Sequence, residues 1–238
     1  MNYKMMQWTD ENIKKFWDYE SNFEERYFTY QVGDKVVEYF KDYFINKNSV
    51  LDLGCGAGLL MENLFKVNID VYGLDFSEES VRKVNEKYRN NPYFKGAYTP
   101  TEINAMNKKF DIIFIIEVIE HLDDEKLSQT LEYIKSILSE GGKAIFTTPN
   151  DEDLSKSMIY CPEADCVFHR WQHVRSWNEQ TLGIYLLKYF DNVEISTTKF
   201  KFQKTIRSSL SKNIRKLLGR YTEKKQPNLI AVVDMKKL

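Results

Sequence analysis

Two carboxylates and three imidazoles in two short segments are the residues of this chain best suited to chemistry. Glu117, Glu120 and His121 stand at the end of a long apolar run, and His169 and His173 follow in a later loop. These segments contain every histidine of the chain. Carboxylate oxygens and imidazole nitrogens together form mixed sites for divalent cations such as Mg²⁺, Mn²⁺ or Fe²⁺. Without a metal, the imidazole of His121 can serve as a general base.

A glycine-rich segment follows an apolar strand near residue 50. The sequence Val-Leu-Asp-Leu-Gly-Cys-Gly-Ala-Gly places Gly54, Gly56 and Gly58 at alternating positions. Glycine permits positive φ and lets a ligand approach the backbone closely. A strand, a glycine-rich turn and a helix hold nucleotide-like cofactors in doubly wound folds. We therefore expect a cofactor at these glycines and Cys55, with Asp52 ordering the loop or meeting a charged end of the ligand.

A second predicted strand ends in a carboxylate. Asp75 lies about 20 residues after the glycine loop, where an acid can accept hydrogen bonds from the hydroxyls of a ribose. Phe76 can pack on an adenine ring, and Ser77 is suited to cap the next helix. A plain acid at a helix entry is the alternative for Asp75. The distance from the glycine loop favours the ribose contact.

The G-x-G-x-G motif followed by Asp75 resembles the cofactor site of the class I S-adenosylmethionine-dependent methyltransferases. The resemblance covers residues 49–150 motif by motif, and beyond them only the order of elements. It implies an α/β fold with a Rossmann-like, doubly wound, mostly parallel seven-stranded sheet and an N-terminal helical cap. It also implies S-adenosylmethionine as the cofactor and adds Glu117 to the residues around it.

The Glu-x-x-Glu-His pattern narrows this resemblance. It occurs in the methyltransferases of ubiquinone biosynthesis and, with the later Thr-Thr-Pro-Asn and a His before a Trp, resembles the small-RNA 3′-terminal 2′-O-methyltransferases. In the RNA enzymes two Glu and two His bind a metal that grips vicinal ribose hydroxyls. The resemblance implies Glu117, Glu120, His121 and His173 as metal ligands, with Glu117, His121 and His173 as catalytic residues. The chain departs from that family before Trp177, where Arg-Ser replaces Phe-Glu.

A second ligand set competes for His173. Cys161, Cys166, His169 and His173 have the residue types and spacings of a structural zinc site. The cysteines are more widely spaced than in the loop of uncharacterised bacterial methyltransferases that this segment resembles. Three alternatives stay open: the Glu/His metal site, the zinc site, and no metal, in which case Glu120 caps a helix.

Alternating strands and helices position these residues and indicate a parallel, doubly wound sheet. The apolar run 110–119 is typical of a central strand buried on both faces. The helix after it is expected to begin at a cap, Asp123 or Asp124, and to stop at Gly141-Gly142. The predicted strands are 50–53, 70–75, 93–97, 110–119, 143–148, 192–200 and 228–236, and the other predicted helices lie within 9–46, 77–90 and 178–190.

The chain is expected to form one domain with an N-terminal addition. Residues 1–46 form a helical cap, and residues 47–238 form the methyltransferase domain, in which the loop 151–177 covers the active site. The cap is rich in aromatic residues. These residues either pack on the sheet or form a lid that excludes water from the cofactor.

Composition excludes several classes of protein. The chain has 238 residues and a net charge of −1, so bulk charge indicates no polyanionic partner. It has no apolar run of the roughly 18 residues that a membrane span needs and no signal-peptide pattern. Three cysteines do not make a disulfide framework, so we expect a reduced, cytoplasmic protein.

A basic segment lies between the last two predicted strands. Residues 199–225 contain ten Lys or Arg and one acid, Glu223. Ile206, Leu210 and Ile214 keep helical spacing, so the segment could be a basic amphipathic helix that contacts a membrane surface or phosphates. An ordinary solvated face is the alternative. The segment keeps RNA, phosphorylated and lipid-linked acceptors among the candidates.

Three functions fit these observations. The first is an O-methyltransferase for a hydroxyl of a small molecule, sugar or glycan, with a metal or His121 activating the alcohol. The second is an RNA 3′-terminal 2′-O-methyltransferase. The third is a non-catalytic cofactor-binding or zinc-stabilised partner protein. The Asn/Asp-Pro-Pro-Tyr type motif of N-methylating relatives is absent from the sequence, which mildly disfavours nitrogen acceptors.

Overall fold

A computed structural model describes residues 3–200 and 226–236. Within them, the strands are β1 (Lys4–Met5), β2 (Ser49–Leu53), β3 (Asp70–Leu74), β4 (Phe94–Tyr98), β5 (Phe110–Ile116), β6 (Leu138–Pro149), β7 (Met158–Cys161), β8 (Cys166–His169), β9 (Asn192–Thr198) and β10 (Asn228–Asp234). The α-helices are α1 (Asp10–Glu20), α2 (Phe28–Tyr39), α3 (Met61–Leu64), α4 (Glu78–Tyr88), α5 (Pro100–Ala105), α6 (Asp124–Ile137) and α7 (Glu179–Leu186). Short 3-10 turns lie at Glu24–Arg26, Lys41–Phe44, Phe65–Val67 and Leu154–Ser157.

A seven-stranded sheet forms the centre of the fold. Its strands lie in the order β4-β3-β2-β5-β6-β10-β9. The strands from β4 to β6 pair in parallel with their neighbours, whereas β10 runs antiparallel to both β6 and β9. The predicted mostly parallel, doubly wound α/β sheet is confirmed. The carboxyl ends of β2, β3, β5 and β6 consequently share one edge, where their loops can meet.

The central strand β5 is buried on both faces. Ile112 and Phe114 belong to a core cluster that includes Phe40, just beyond α2. Ile113 belongs to the cluster on the other face, with Leu131 of α6. Successive side chains of a strand point to opposite faces, so a continuous apolar run is needed to fill both clusters, as the sequence indicated.

The junction between α6 and β6 differs from the prediction. Asp123 caps α6, as expected. The prediction that Gly141-Gly142 stop this helix is wrong, because α6 ends at Ile137 and both glycines lie within β6. Leu138 already pairs with β5. Strand pairing therefore overrides the helical pattern before the glycines are reached.

The loop predicted over the active site contains a hairpin that the sequence does not reveal. β7 and β8 pair antiparallel, and β1 adds to β8 in parallel. These strands are two to four residues long, too short for a clear alternation of apolar and polar residues. The segment 9–46 is helical, as predicted, but is broken into α1, α2 and short 3-10 turns. Its division from residues 47–238 as a separate cap stays a prediction.

The predicted basic insertion falls almost wholly outside the described residues. Only Lys199 and Phe200 of the segment 199–225 are described. Its contact with membranes or phosphates stays a prediction. In the described part of the chain, no helix combines the length and apolar character needed to cross a bilayer.

Replacing Gly58 with alanine should destabilise the fold. Gly58 has a φ of +71°, and an added Cβ would lie 2.8 Å from Cε2 of Tyr88. The left-handed conformation costs about 1–2 kcal/mol for a residue with a Cβ, and overpacking adds about 1–3 kcal/mol. Gly183→Ala in α7 is the matched control, because its Cβ would meet Cγ1 of Ile195 at an ordinary 3.5 Å and alanine favours a helix by about 1 kcal/mol. Urea unfolding compares the two; wild-type stability in Gly58→Ala would contradict the expectation.

Candidate active site

The turn after β2 folds back toward β3. Gly54, Gly56 and Gly58 have φ values of +78°, +51° and +71°, a region that residues with a Cβ rarely adopt. The N–H groups of Gly54 and Cys55 both donate to the carbonyl of Leu74, at 2.8 and 3.1 Å. These bonds hold the glycine loop, residues 54–58, against the carboxyl end of β3.

Two other segments approach the glycine loop closely. A Cβ added at Gly54 would lie 2.7 Å from Cγ2 of Val118, and one added at Gly56 would lie 3.1 Å from Cε1 of Tyr27. Val118 is in the loop after β5, and Tyr27 immediately precedes α2. Glycine therefore serves here for close approach as well as for positive φ.

Asp75 is bonded to the glycine loop through its carboxylate. Its Oδ2 accepts from the N–H of Gly56 at 2.8 Å, and its Oδ1 accepts from the N–H of Ser77 at 2.9 Å. Burial raises the pKa of Asp75, although both N–H bonds oppose the rise. Phe76 is 54% exposed, so its ring is accessible. The predicted contacts of Asp75 with a ribose and of Phe76 with an adenine stay predictions.

Asp52 is a buried carboxyl group in β2. Its Oδ2 has no hydrogen-bond partner among the described residues. Burial, with a smaller contribution from the charge of Asp75, raises the pKa of Asp52 to about 7. Burial also raises the pKa of the neighbouring Cys55 thiol. A positive charge on a bound ligand would offset the penalty of ionising Asp52 in this place.

The two glutamates lie in the loop after β5, because that strand ends at Ile116, before the predicted residue 119. Glu117 has a φ of +52°, and its Oε1 accepts from the hydroxyl of Thr147 at 2.8 Å. Glu120 is 1% exposed, and its Oε2 accepts from the hydroxyl of Thr148 at 3.0 Å. Burial raises the pKa of Glu117 to about 7, and burial together with Glu117 raises that of Glu120 well above its usual value.

The structure brings the three histidines together. The ring centroids of His121 and His173 lie 4.8 Å apart, and those of His169 and His173 lie 4.5 Å apart with the rings nearly parallel. Burial, and then the proximity of His173, lowers the pKa of His121 to about 3. Burial also lowers the pKa values of His169 and His173. The imidazoles are consequently neutral near pH 7.

Three of the four predicted metal ligands form a group that could hold a cation. The ligand atoms of Glu120, His121 and His173 lie within 4.8 Å of one another. Glu117, the fourth, is not part of this group. Oε1 of Glu120 and Nδ1 of His121 are buried and have no hydrogen-bond partner in residues 3–200 or 226–236. Both atoms are therefore available to a ligand, Nδ1 of His121 through its lone pair when the ring is in the Nε2–H tautomer.

The alternative zinc ligands are not brought together. A second group of possible ligands consists of Glu152, His169 and His173. Among the residues that the structure describes, neither Cys161 nor Cys166 belongs to a group of this kind. The two cysteines pair across the turn end of the β7–β8 hairpin, whereas His169 pairs with β7 at its other end.

The N-terminal segment contacts the three-histidine cluster at the carboxyl edge of the sheet, and this region is called the crevice below. The ring of Trp17 meets that of His121 edge-on at 5.0 Å between centroids. Trp17 Nε1 donates to Oε1 of Gln172 at 3.1 Å, and Nε2 of Gln172 donates to the carbonyl of His121 at 2.9 Å. The ring of Tyr27, which lies against Gly56, has its centroid 6.4 Å from that of Trp17. This chain of contacts supports the hypothesis that α1 belongs to a lid.

Sequence reasoning did not single out Glu152 or Gln172. Glu152 lies just after β6, so the rule that loops at the carboxyl edge meet over the crevice would have included it. Gln172 lies between His169 and His173, but an amide in a loop carries no pattern of its own. Its φ of +60° is visible only in the structure.

Sequence comparisons connect the chain with methyltransferases. The model of a family described as "Methyltransferase domain" matches residues 23–191. The ubiquinone biosynthesis O-methyltransferase of Coxiella burnetii is 35% identical over 104 residues, which cover 42% of this chain and 43% of that protein. The mitochondrial enzyme of the same name from Dictyostelium discoideum is 31% identical over 120 residues, which cover 45% of this chain and 37% of that protein. The chain thus spans less than half the length of these curated relatives.

Solved structures share the fold at low identity. A S-adenosylmethionine-dependent methyltransferase from Clostridium acetobutylicum has a TM-score of 0.62 at 18% identity, covering 94% of this chain and 99% of that one. The plantazolicin methyltransferase BpumL in complex with SAH has a TM-score of 0.60 at 17% identity, and the match covers 96% of this chain and 92% of that one. The methyltransferase domain of bacterial CtHen1-C has a TM-score of 0.58 at 20% identity, and the match covers 88% of this chain and 98% of that one.

Asp52→Asn should flatten the pH dependence of stability. Because the pKa of Asp52 is about 7 in the fold and ordinarily 3.8, its contribution to stability is full below a pH of about 4 and is lost as the pH rises to about 7. The loss is on the order of 4 kcal/mol. Urea unfolding across this range measures the difference between variant and wild type.

Asp70→Asn is the control for this experiment. It removes a carboxylate from the half-buried start of β3, where Asp70 pairs with Lys95, and therefore controls for the loss of one negative charge. If the stability differences of the two variants vary equally with pH, burial of Asp52 is not the source of the effect.

Proposed function

The chain belongs to the family described as "Methyltransferase domain", and we propose that it is an S-adenosylmethionine-dependent methyltransferase that acts on a hydroxyl oxygen of a small molecule or sugar. The observation that carries this proposal is the grouping of Glu120, His121 and His173 in the crevice beside the glycine loop. The sulfonium methyl is already activated, and alignment of the acceptor can supply about 7–11 kcal/mol of the barrier. A hydroxyl additionally needs help to lose its proton, which is what this group can provide.

The cofactor is proposed to lie along the glycine loop. Its adenosyl part would meet Asp75 and Phe76, and its charged amino-acid part would lie toward Asp52. Each oxygen of Asp75 already accepts one backbone N–H, and a carboxylate oxygen has a second lone pair for a ribose hydroxyl. The cationic charge of the cofactor would offset the burial of Asp52.

A divalent cation fits the group at the acceptor side. The unpartnered Oε1 of Glu120 and Nδ1 of His121, with a nitrogen of His173, are the mixed O/N ligands that suit Mg²⁺, Mn²⁺ or Fe²⁺. A bound cation would lower the pKa of a coordinated hydroxyl. Glu117 borders the group and interacts with Glu120 electrostatically.

Without a cation, His121 is the proposed general base. A neutral imidazole nitrogen would take the hydroxyl proton while the oxygen attacks the methyl carbon, and for this the bound cofactor and acceptor would have to raise the pKa of His121 from about 3. The carbon–sulfur bond breaks as the carbon–oxygen bond forms, leaving S-adenosylhomocysteine and the methyl ether. Trp17 covers one edge of His121, which would keep water from competing for the methyl group.

An RNA 3′ end is the second candidate acceptor. Glu120, His121 and His173 are three of the four ligands implied by the resemblance to small-RNA methyltransferases, and the structure groups them. A terminal ribose would present two adjacent oxygens to one cation. The basic segment 199–225 would supply the phosphate contacts that such a substrate needs.

Asp75→Asn should weaken binding of S-adenosylmethionine about 10- to 100-fold. An amide keeps one acceptor oxygen and replaces the other with a donor, so a charge-assisted hydrogen bond worth about 1.5–3 kcal/mol is lost. Titration calorimetry measures the affinity, with Asp70→Asn on the same strand as the control. An unchanged affinity in Asp75→Asn would place the ribose elsewhere.

Glu120→Gln and His121→Gln should each lower turnover by about 10²- to 10⁴-fold and leave the cofactor affinity unchanged, since neither lies at the glycine loop. Glu163→Gln, in the exposed turn of the β7–β8 hairpin, is the control. S-adenosylhomocysteine formation is measured with catechols, sugars and RNA bearing 3′-terminal vicinal hydroxyls, each with and without Mg²⁺, Mn²⁺ or Fe²⁺.

The acceptors separate the alternatives. Equal methylation of RNA with a 3′-deoxy end would exclude the RNA proposal, which depends on two adjacent hydroxyls. Turnover with amines and with none of the hydroxyl acceptors would contradict O-methylation. Full turnover in both variants would remove the Glu120 group from the chemistry.

A further inference from the structure

Glu152 lies between two of the histidines and contacts both of them. Its Oε2 lies 2.5 Å from Nδ1 of His173, and its Oε1 lies 3.5 Å from Nε2 of His169. All three side chains are largely removed from solvent, with Glu152 21% exposed. The carboxylate of Glu152 is therefore in contact with both rings.

The hydrogen bonds of His169 fix which of its nitrogens carries the proton. Its Nδ1 accepts from the backbone N–H groups of Trp171 and His173, at 3.3 and 3.2 Å. A nitrogen that accepts hydrogen bonds uses its lone pair, so in the neutral ring the proton is on Nε2. That Nε2 is buried, makes no hydrogen bond with the described residues and lies 3.5 Å from Oε1 of Glu152. His169 therefore presents an N–H to Glu152.

The same reasoning fixes His173. When Glu152 is a carboxylate, it can only accept hydrogen bonds, and its 2.5 Å contact then places a proton on Nδ1 of His173. The neutral ring then has its lone pair on Nε2. Since Nδ1 is engaged by Glu152, Nε2 is the nitrogen that remains for Glu120 and His121.

Glu152, His169 and His173 could also be taken for a second cation site. The protonation pattern argues against it, because Nδ1 of His169 is occupied by two backbone N–H groups and Nε2 carries a hydrogen. A cation between these residues would have to displace that hydrogen. The geometry instead matches a histidine that is oriented by a carboxylate through its other nitrogen, as metal-ligating histidines commonly are.

We propose that Glu152, held in place by His169, is a positioning residue that fixes His173 as its Nδ1–H tautomer and directs the Nε2 lone pair toward Glu120 and His121. The use of that lone pair, for a cation or for the acceptor hydroxyl, rests on the proposed function. The tautomer itself does not, because it follows from hydrogen bonds within the protein.

The tautomers can be observed directly in the full chain. With only three histidines, long-range ¹H–¹⁵N spectra of histidine-labelled protein at about pH 8 give a short set of imidazole patterns, assigned by removing His169 and His173 in turn. We expect Nδ1–H at His173 and Nε2–H at His169. In Glu152→Ala, His173 should lose its preference for Nδ1–H, whereas Glu163→Ala should match the wild type.

Glu152→Gln keeps the size of the side chain and guards against a folding defect in Glu152→Ala. Its amide oxygen can still accept from Nδ1–H of His173, but its nitrogen is a donor and cannot accept the N–H of His169, so the preference of His173 for Nδ1–H should weaken. Nε2–H at His173 in the wild type, or wild-type patterns in both Glu152 variants, would overturn the proposal.

Activity separates this inference from the proposed function. Loss of a group that orients a metal ligand typically reduces metal affinity or turnover 10- to 100-fold, so Glu152→Gln should lower kcat by about that factor without changing the affinity for S-adenosylmethionine. If the tautomer of His173 changes in the Glu152 variants but the wild type turns over no hydroxyl acceptor, the proposed function is contradicted and Glu152 remains a positioning residue. O-methylation with an unchanged tautomer would sink this inference alone.

Discussion

Burial of β5 on both faces confines polar chemistry to the ends of that strand. Ile112–Ile115 are removed from solvent completely, and a carboxylate among them would lack both water and partners. At the amino end, Asp111 accepts from the N–H groups of Asn48 and Ser49 and serves the fold. At the carboxyl end, Glu117 leaves the strand with positive φ, and the loop that follows carries Glu120 and His121 into the crevice. The arrangement of the site thus depends on where an apolar strand stops.

The crevice holds several groups in protonation states that differ from those in water. The pKa values of Asp52 and Glu117 are raised by burial, and that of His121 is lowered. Each shift keeps a buried group neutral. Such groups reduce stability and are retained where a ligand later provides the missing charge or hydrogen bond. The unpartnered atoms of Asp52, Glu120 and His121 have this character; the sequence had predicted Asp52 as a cofactor-site residue and the other two as metal ligands.

Local sequence patterns predicted the elements whose signals lie within a few residues. The positive φ of the glycine loop and the burial of β5 on both faces agree with the prediction because each follows from backbone conformation or burial, although β3 ends at Leu74 and β5 at Ile116, before the predicted 75 and 119. The boundary between α6 and β6 was not, since it depends on pairing of Leu138 with a strand more than twenty residues away in sequence. The β7–β8 hairpin was missed because its strands are too short to show an alternation of apolar and polar residues. Glu152 was missed because its importance comes from two histidines that its own sequence neighbourhood does not contain.

Gln172 couples the position of the α1 residue Trp17 to the environment of His121. It joins the indole of Trp17 to the backbone of His121 through the two ends of one amide, and it does so from a backbone conformation that is uncommon for a residue with a Cβ. If α1 moves aside to admit or release a ligand, the indole leaves, one end of the amide loses its partner, and the edge of the imidazole becomes wet. The histidine would then be held in its dry, neutral form only while the crevice is shut. Movement of α1 would then change the pKa of His121 as well as access to the crevice, so one amide would couple entry of a ligand to the protonation of the imidazole.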